Sequence, residues 1–560
     1  MPSRGSVQQP VRFFDLLSAV QETRADHVIS VWQGAAGVAA AERTTQSLVS
    51  VITRTACAIR QVCEGRGVSR AAVFASGCLE LAPLYHALWL LGITVISIPS
   101  TQPSRQIVAQ INNSDADILI HGSEQSMRLA AILPQLTSVK HRIVLANVGS
   151  GSRKGGEEVS YLHELKRIPS EVSATNTLSE FSEHRFRPGV PALVVFTTDD
   201  PIESHGVAFS EEALLHAACL QSQLYPPLKG GQGRRAWFLM HDKSLIRLLH
   251  TTLLPLVSSI AVCEADSSLS FDGYPSFVQS QRVSTIVVDD AHLELCRGCV
   301  SELSPEVKRE LEVVFLSSAP VPKGRVKALQ SVLVPVYGRA EMGGIVAAGH
   351  KGAAYFCSQG NPLGLELLSC GHPLGGVKLS VVQEDGVLIS NSQVGELVAT
   401  SAQNMLSYHG SRPGDAYLGP RNGLHSGDIG YWSFDAQGMP HLVITGRSSA
   451  AVERSGVSVY VSDVELAMYA INGVEAARVV AFPHLLYGRE VAAYIMVSRG
   501  ASVTRATVWE ALSKQFSWPH IPKIVLFGHE DERLPLPSQA ALLETLQSFE
   551  STEFPEGMRA

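Results

Sequence analysis

Three positions in this 560-residue chain stand out by residue type and spacing. Glu341 closes Tyr337-Gly338-Arg339-Ala340-Glu341, Asp428 follows roughly ninety residues later in Ser426-Gly427-Asp428, and Arg447 comes directly after Gly446. A carboxylate accepts two hydrogen bonds at once, which suits a vicinal diol. Its oxygens are also what a hard cation such as Mg²⁺ requires. Each motif alone has a plain structural reading: the first fits a strand-end turn, and the second fits a turn or helix cap. His205, just ahead of Gly206-Val207-Ala208-Phe209-Ser210, and His241, in His241-Asp242-Lys243-Ser244, are further candidates. A lone histidine is more often structural. Cys296 and Cys299 have CxxC spacing, but no second pair completes a zinc site, so they read as packing residues.

The elements that must position these residues follow from apolar patterning. From Phe13 to about Leu145, strand-like runs (Ala71–Ala75, Ile93–Ile98, Ile118–Ile120, Ile143–Ala146) alternate with helical stretches such as Thr45–Val62, Leu79–Leu91 and Arg105–Asn112. That alternation argues a parallel sheet covered by helices. Gly149 to Pro188 reads as a surface connection. A second α/β half then runs through strands at Ala192–Phe196, Ala236–Met240, Ser259–Val262, Thr285–Val288, Val313–Leu316 and Val334–Tyr337. From Gly371 to Thr445 short alternating strands with Gly, Pro and Asn turns give a β subdomain, and a compact α/β tail follows Gly446. The expected fold class is α/β: two sheet subdomains and a β subdomain (1–445), a small mobile α+β domain (446–549) and a frayed tail (550–560).

Composition excludes several functions. Hydrophobic residues at 45% and charged residues at 17% describe a folded globular chain. A net charge of -7, with no Lys/Arg run, gives no case for nucleic acid or an anionic membrane. Nine scattered cysteines favour a reducing compartment. Met1 to Pro10 lacks the apolar core of a signal peptide. Leu81 to Pro99 is long and apolar enough to raise a membrane question. Its period changes from helix to strand, so no membrane span is expected and the cytoplasm is the expected location.

In this order and spacing the motifs resemble the nucleotide pocket of the adenylate-forming enzymes: acyl-CoA synthetases, fatty acyl-AMP ligases and the adenylation domains of peptide synthetases. The resemblance spans most of the chain. It implies that Tyr337 and Gly338 line an adenine slot and that Ser318, in Ser317-Ser318-Ala319-Pro320, lies on the adenine-contacting turn. By the same resemblance Glu341 holds the Mg²⁺ bound to ATP, Asp428 takes the ribose hydroxyls, and Arg447 contacts ribose and phosphate at the hinge between domains. His241-Asp242-Lys243-Ser244-Leu245-Ile246, with Leu254-Pro255-Leu256 after it, is similar to the H-D-M-G-L-I…P-L segment of fatty acyl-AMP ligases, placing His241 at an acyl pocket. Ser369-Cys370-Gly371-His372-Pro373 and Val394-Gly395-Glu396-Leu397 resemble their S-C-G-R-P and V-G-E-I segments. The stretch from Gly349 to Leu368 is shorter than their usual insertion.

The departures matter as much. The family's phosphate loop is rich in Ser, Thr and Gly and ends in Lys-Gly. Here it corresponds to Thr197-Thr198-Asp199-Asp200-Pro201-Ile202-Glu203-Ser204-His205-Gly206, with Thr197 and Thr198 as remaining phosphate contacts and His205 in place of the lysine. Three carboxylates stand where a polyanion is meant to bind. Each like-charge contact at ~4 Å costs about 1 kcal/mol in water and about 4 at a surface dielectric. The family's C-terminal lysine falls at Ala541 in Leu534-Pro535-Leu536-Pro537-Ser538-Gln539-Ala540-Ala541, and no lysine follows Lys523. Losing such a charge costs on the order of 10²–10³ in rate. Ala450 stands at a charged hinge position, Ser455 replaces an Arg, and Val461 replaces a Pro.

The resemblance implies a ligase-like protein that joins a carboxylic acid, fatty or polyketide-type, to AMP from ATP with Mg²⁺. The acyl group would pass to a carrier-protein thiol, to CoA or to an amine, in secondary-metabolite or lipid biosynthesis. A protonated His205 standing in for the loop lysine implies activity that falls as pH rises through the histidine's pKa. The eroded loop and missing lysine support an alternative: a catalytically retired member acting as a binding or interaction subunit.

Overall fold

The computed structural model describes residues 12–33, 41–76, 81–100, 102–145, 158–160, 178–183, 186–187, 189–197, 205–228, 233–240, 244–265, 269–317, 319–358, 363–383, 386–389, 392–410, 423–448, 451–454, 456–484, 488–529, 535–537 and 539–550. Two large sheets dominate. In the first, strands Leu193–Phe196, Thr94–Ser97, Arg70–Phe74, Ile118–Gly122, His141–Leu145 and Glu158–Ser160 run parallel in that spatial order. Gly206–Phe209 and Ser407–Tyr408 extend its edge antiparallel. In the second, Leu333–Arg339, Glu312–Leu316, Thr285–Asp289, Arg234–Leu239, Ile260–Ala265 and Val28–Gln33 are parallel neighbours. Strands with helices on both faces bury both faces, so they read as continuous apolar runs. Thr94–Ser97 and Leu193–Phe196 are buried at every position.

Helices Thr45–Cys63, Leu81–Leu90, Glu211–Gln221 and Leu245–Thr252 share one core with both sheets. Their starts are set locally. Ser210 accepts a bond from Ala213 N–H, Ser244 from Arg247 N–H and Thr44 from Ser47 N–H, each a side-chain cap worth about 1 kcal/mol. The apolar stretch beginning at Leu81 is a ten-residue helix, a turn through Gly92 and a buried strand. No helix among the described residues is long and apolar enough to cross a membrane. Cys296 and Cys299 are buried on the helix Leu293–Glu302, in keeping with packing.

Sheet membership departs from the sequential halves expected from the pattern. Leu193–Phe196 pairs with Thr94–Ser97 and so belongs to the first sheet, not the second. Conversely Val28–Gln33, near the N-terminus, adds to the second sheet beside Ile260–Ala265. The β subdomain is a four-stranded antiparallel sheet of Lys378–Val382, Gly395–Thr400, Leu424–Phe434 and Pro440–Arg447. The C-terminal part holds a three-stranded sheet, Val474–His484, Gly488–Val497 and Ile524–His529, packed with helices Val461–Tyr469, Arg505–Ser513 and Gln539–Glu550.

Candidate functional site

Tyr337, Gly338 and Arg339 end the strand Leu333–Arg339, at the carboxyl end of the parallel set, where open α/β sheets bind ligands. Its antiparallel neighbour Gly344–Ala348 approaches so closely that a Cβ on Gly338 would stand 2.2 Å from the Gly344 carbonyl oxygen. Only glycine fits there. The chain then turns back, with Gly343 N–H bonded to the Ala340 carbonyl at 2.8 Å, and Glu341 sits on that turn. Its carbonyl accepts from Met405 N–H at 2.9 Å, tying the turn to the segment before Tyr408.

Asp428 comes from a different sheet. It lies on Leu424–Phe434 just after Gly427, whose φ of +71° a side chain would strain. Ladder register puts Arg447 directly across from Asp428, with Nε 3.5 Å from Oδ1. The β subdomain thereby delivers both residues to the end of the Tyr337 strand.

The side chains form one closed network. Arg339 donates from Nη2 and Nε to the two oxygens of Glu341, at 3.1 and 3.3 Å. Its Nη1 donates to Asp428 Oδ1 at 2.9 Å. Tyr337 donates its hydroxyl to Asp428 Oδ2 at 2.8 Å, and Tyr408 donates to Glu341 Oε1 at 3.3 Å. Every oxygen of both carboxylates therefore has a donor from the protein. Asp428 is 0% exposed, Glu341 6% and Arg339 7%. Burial, and then the Asp428 charge, push the Tyr337 phenol well above its ordinary value, which keeps it a donor. Burial and the Glu341 charge push Tyr408 up to about 12.

Thr197 and His205 face each other across the hairpin formed by Leu193–Phe196 and Gly206–Phe209. Thr197 N–H bonds the His205 carbonyl at 2.9 Å, and His205 N–H bonds Thr197 Oγ1 at 3.3 Å. The His205 ring lies 5.6 Å from the Tyr408 ring, which joins it to the network at one remove. Thr198, Ser318 and His241 lie outside the described residues, as do Asp199, Asp200, Glu203 and Ala450. The structure thus brings together Tyr337, Gly338, Glu341, Asp428 and Arg447, with Thr197 and His205 flanking them.

Two residues of this network were not singled out from sequence. Arg339 lies inside the motif, a charged residue at the end of an otherwise apolar and fully buried strand, and that contrast was the available signal. Tyr408 carries no motif signal; only strand pairing with Val207 places it.

The geometry also tests a divalent cation at Glu341. Mg²⁺ demands carboxylate oxygens in a tight octahedral shell and keeps several waters. Here a guanidinium already grips both Glu341 oxygens, the surroundings are buried, and among the described residues two carboxylates face two guanidiniums. As arranged, these residues do not fit Mg²⁺.

The C-terminal sheet docks near the end of Thr285–Asp289, two strands from Tyr337. Asp290 accepts from Arg325 at 2.5 Å and from Arg478, on Val474–His484, at 2.8 Å. Arg297 pairs with Glu475 at 2.6 Å. Leu536 N–H bonds the Ala291 carbonyl at 2.9 Å, so the segment preceding Ala541 is anchored there. Ala541 itself is exposed on its helix. Farther along the second sheet, a cavity of about 240 Å³ opens at the ends of Arg234–Leu239 and Ile260–Ala265. It is lined by Trp237, Leu239 and Tyr274, with Arg247 and Glu264 as its charged groups.

Comparison with known proteins bears on this arrangement. The profile of the AMP-binding enzyme family matches residues 21–409. A 2-succinylbenzoate–CoA ligase of Enterococcus faecalis is 26% identical over 220 residues, covering 39% of this chain and 42% of that protein. The chain matches less than half the length of such curated relatives. Among solved structures, the anthranilate CoA ligase AuaEII in complex with anthranoyl-AMP superposes with a TM-score of 0.72 at 14% identity, covering 97% of this chain and 98% of that one. The amide bond synthetase McbA from Marinactinospora thermotolerans superposes with a TM-score of 0.69 at 19% identity, covering 96% and 100%. These likenesses show a shared fold.

Proposed function

This chain belongs to the AMP-binding enzyme family, and on that footing we propose that it is an acyl-adenylate-forming, ligase-like protein. In the proposed reaction a carboxylate oxygen attacks the α-phosphorus of ATP, the bond to the β-phosphate oxygen breaks, and pyrophosphate leaves. The acyl-AMP then loses AMP to a carrier-protein thiol, to CoA or to an amine. The observation that carries the reading is the convergence of Tyr337, Glu341, Asp428 and Arg447, from two different sheets, at one strand end. In this reading Tyr337 and Gly338, with Ser318, frame the adenine and Asp428 meets the ribose. Arg447 attends the α-phosphate, and Thr197, Thr198 and His205 attend the outer phosphates. His241 faces the acid.

The substrate class is a small fatty, polyketide-type or aryl acid. The named relatives act on succinylbenzoate and anthranilate, which supports including aryl acids. The proposal includes the division into 1–445, 446–549 and 550–560, with the small domain hinged near Arg447, and a cytoplasmic setting in secondary-metabolite or lipid biosynthesis. Pyrophosphate release from ATP across a panel of aliphatic and aryl acids, each with and without CoA, tests it. Release that depends on one acid class supports the reading; no release with any acid removes it.

A second reading, a retired member that binds ligand or partner without turnover, is favoured by one observation. Both site carboxylates are already satisfied within the protein. Such a protein would show nucleotide or acid binding with no pyrophosphate release.

A further inference from the structure

The guanidinium of Arg339 reaches two carboxylates at once, Glu341 through Nε and Nη2 and Asp428 through Nη1. A planar fork of five fixed donors is suited to that bridging, and a hydrated ammonium is not. The bridged carboxylates are the two that the nucleotide reading assigns to metal and ribose. We infer that Arg339 is the resident cation of this site, standing in place of a divalent metal and closing it to a metal–triphosphate. The inference rests on the reading of Tyr337, Glu341, Asp428 and Arg447 as a nucleotide pocket, and it favours the second reading, binding without turnover, over adenylation from Mg²⁺–ATP.

Two further observations agree. Among the described residues two guanidiniums face the two carboxylates, so neither carboxylate charge is left over for a cation to neutralise. The Glu341 and Asp428 carboxylates are both buried in this arrangement, so a cation reaches them only if the Arg339 fork lets go. The ligand that suits a site with its own resident cation is a nucleoside monophosphate or an acyl-adenylate, bound without metal. Arg339 is therefore a specificity-determining residue, not one assigned a bond-making role.

The test is calorimetric titration of the full chain and of Arg339→Met with AMP in EDTA, ATP in EDTA and ATP with Mg²⁺. The expected result is that the native chain binds AMP, changes its affinity less than threefold on adding Mg²⁺, and binds Mg²⁺–ATP at least tenfold more weakly than AMP. Arg339→Met, with the fork gone and both carboxylates released, gains at least tenfold in Mg²⁺–ATP affinity, and the gain disappears in EDTA. Strong Mg²⁺-dependent ATP binding by the native chain overturns the inference and leaves the nucleotide reading standing. So does an Arg339→Met variant whose Mg²⁺ response equals the native one. If neither protein binds any adenine nucleotide, the nucleotide reading falls and the inference falls with it. Where Arg339→Met does not fold, the native chain's response to Mg²⁺ decides alone, and a merely structural arginine would not set that response.

Discussion

Replacing Asp290 by Asn should loosen the docking of the C-terminal sheet by a calculable amount. Asp290 sits between Arg325, only 3% exposed, and Arg478, 16% exposed, at 2.5 and 2.8 Å. Unit charges about 4 Å apart attract by about 4 kcal/mol at an effective dielectric of 20. Asp290 and Arg325 both lie on the large α/β part, so only the Asp290–Arg478 pair breaks on undocking, worth about 4 kcal/mol before desolvation. Removing one partner of a buried pair costs about 3–5 kcal/mol, because the other charges stay buried. Asn keeps the shape and one acceptor, which favours the lower figure, and 3 kcal/mol is about a hundredfold in the opening equilibrium. Arg478 is on the C-terminal sheet and Asp290 on the large α/β part, so the equilibrium that the substitution shifts is undocking. Amide exchange along Val474–His484 and limited proteolysis between Arg447 and Ala451 both read it. At pH 7 the variant should exchange and be cut about a hundredfold faster. Burial raises the Asp290 carboxyl's pKa, but Arg325 and Arg478 outweigh it and hold the group below the usual carboxylate range. Its stabilisation is therefore complete above the unfolded value of about 3.9 and is lost only as pH falls through the lower folded value. The gap between native and variant should persist from pH 8 to pH 5 and close at more acid pH. A difference under threefold at pH 7, or a gap that closes on the alkaline side, would refute the reasoning.

Glu465 should behave in the opposite sense. Burial pushes its carboxyl up to about 7, so its contribution is greatest at acid pH and is lost as pH rises through that value. Glu465→Gln should remove a decline on the order of 2–3 kcal/mol between pH 5 and 8, seen as a flat profile of melting temperature, and an unaltered slope would count against it. Tyr337→Phe deletes the 2.8 Å donor to a fully buried carboxylate and should cost about 2 kcal/mol in denaturant unfolding; a loss below about 0.5 kcal/mol would mean that Asp428 finds another partner. Under the ligase reading His205→Ala should lower the rate of pyrophosphate release; an unchanged rate in the variant would dismiss a phosphate role for His205.

Sequence alone settled the elements and the ancestry, because both are written locally. The buried runs at Ala71–Ala75 and Thr285–Val288 are apolar at nearly every position, as strands covered on both faces must be. Gly338 and Gly427 sit where close approach and a positive φ admit nothing larger. Motif order was enough to gather Tyr337, Glu341, Asp428 and Arg447 as a set. It could not assign strands to sheets, since one doubly buried parallel strand looks like another. Which neighbour Leu193–Phe196 or Val28–Gln33 takes is decided by the helices that cover them and by chain connection. Nor could it show what Arg339 does. Its partner Glu341 is two residues away, but Asp428 is 89 residues on and in another sheet. An arginine between two apolar residues reads as a surface side chain until folding places both carboxylates within reach of one guanidinium in a buried place.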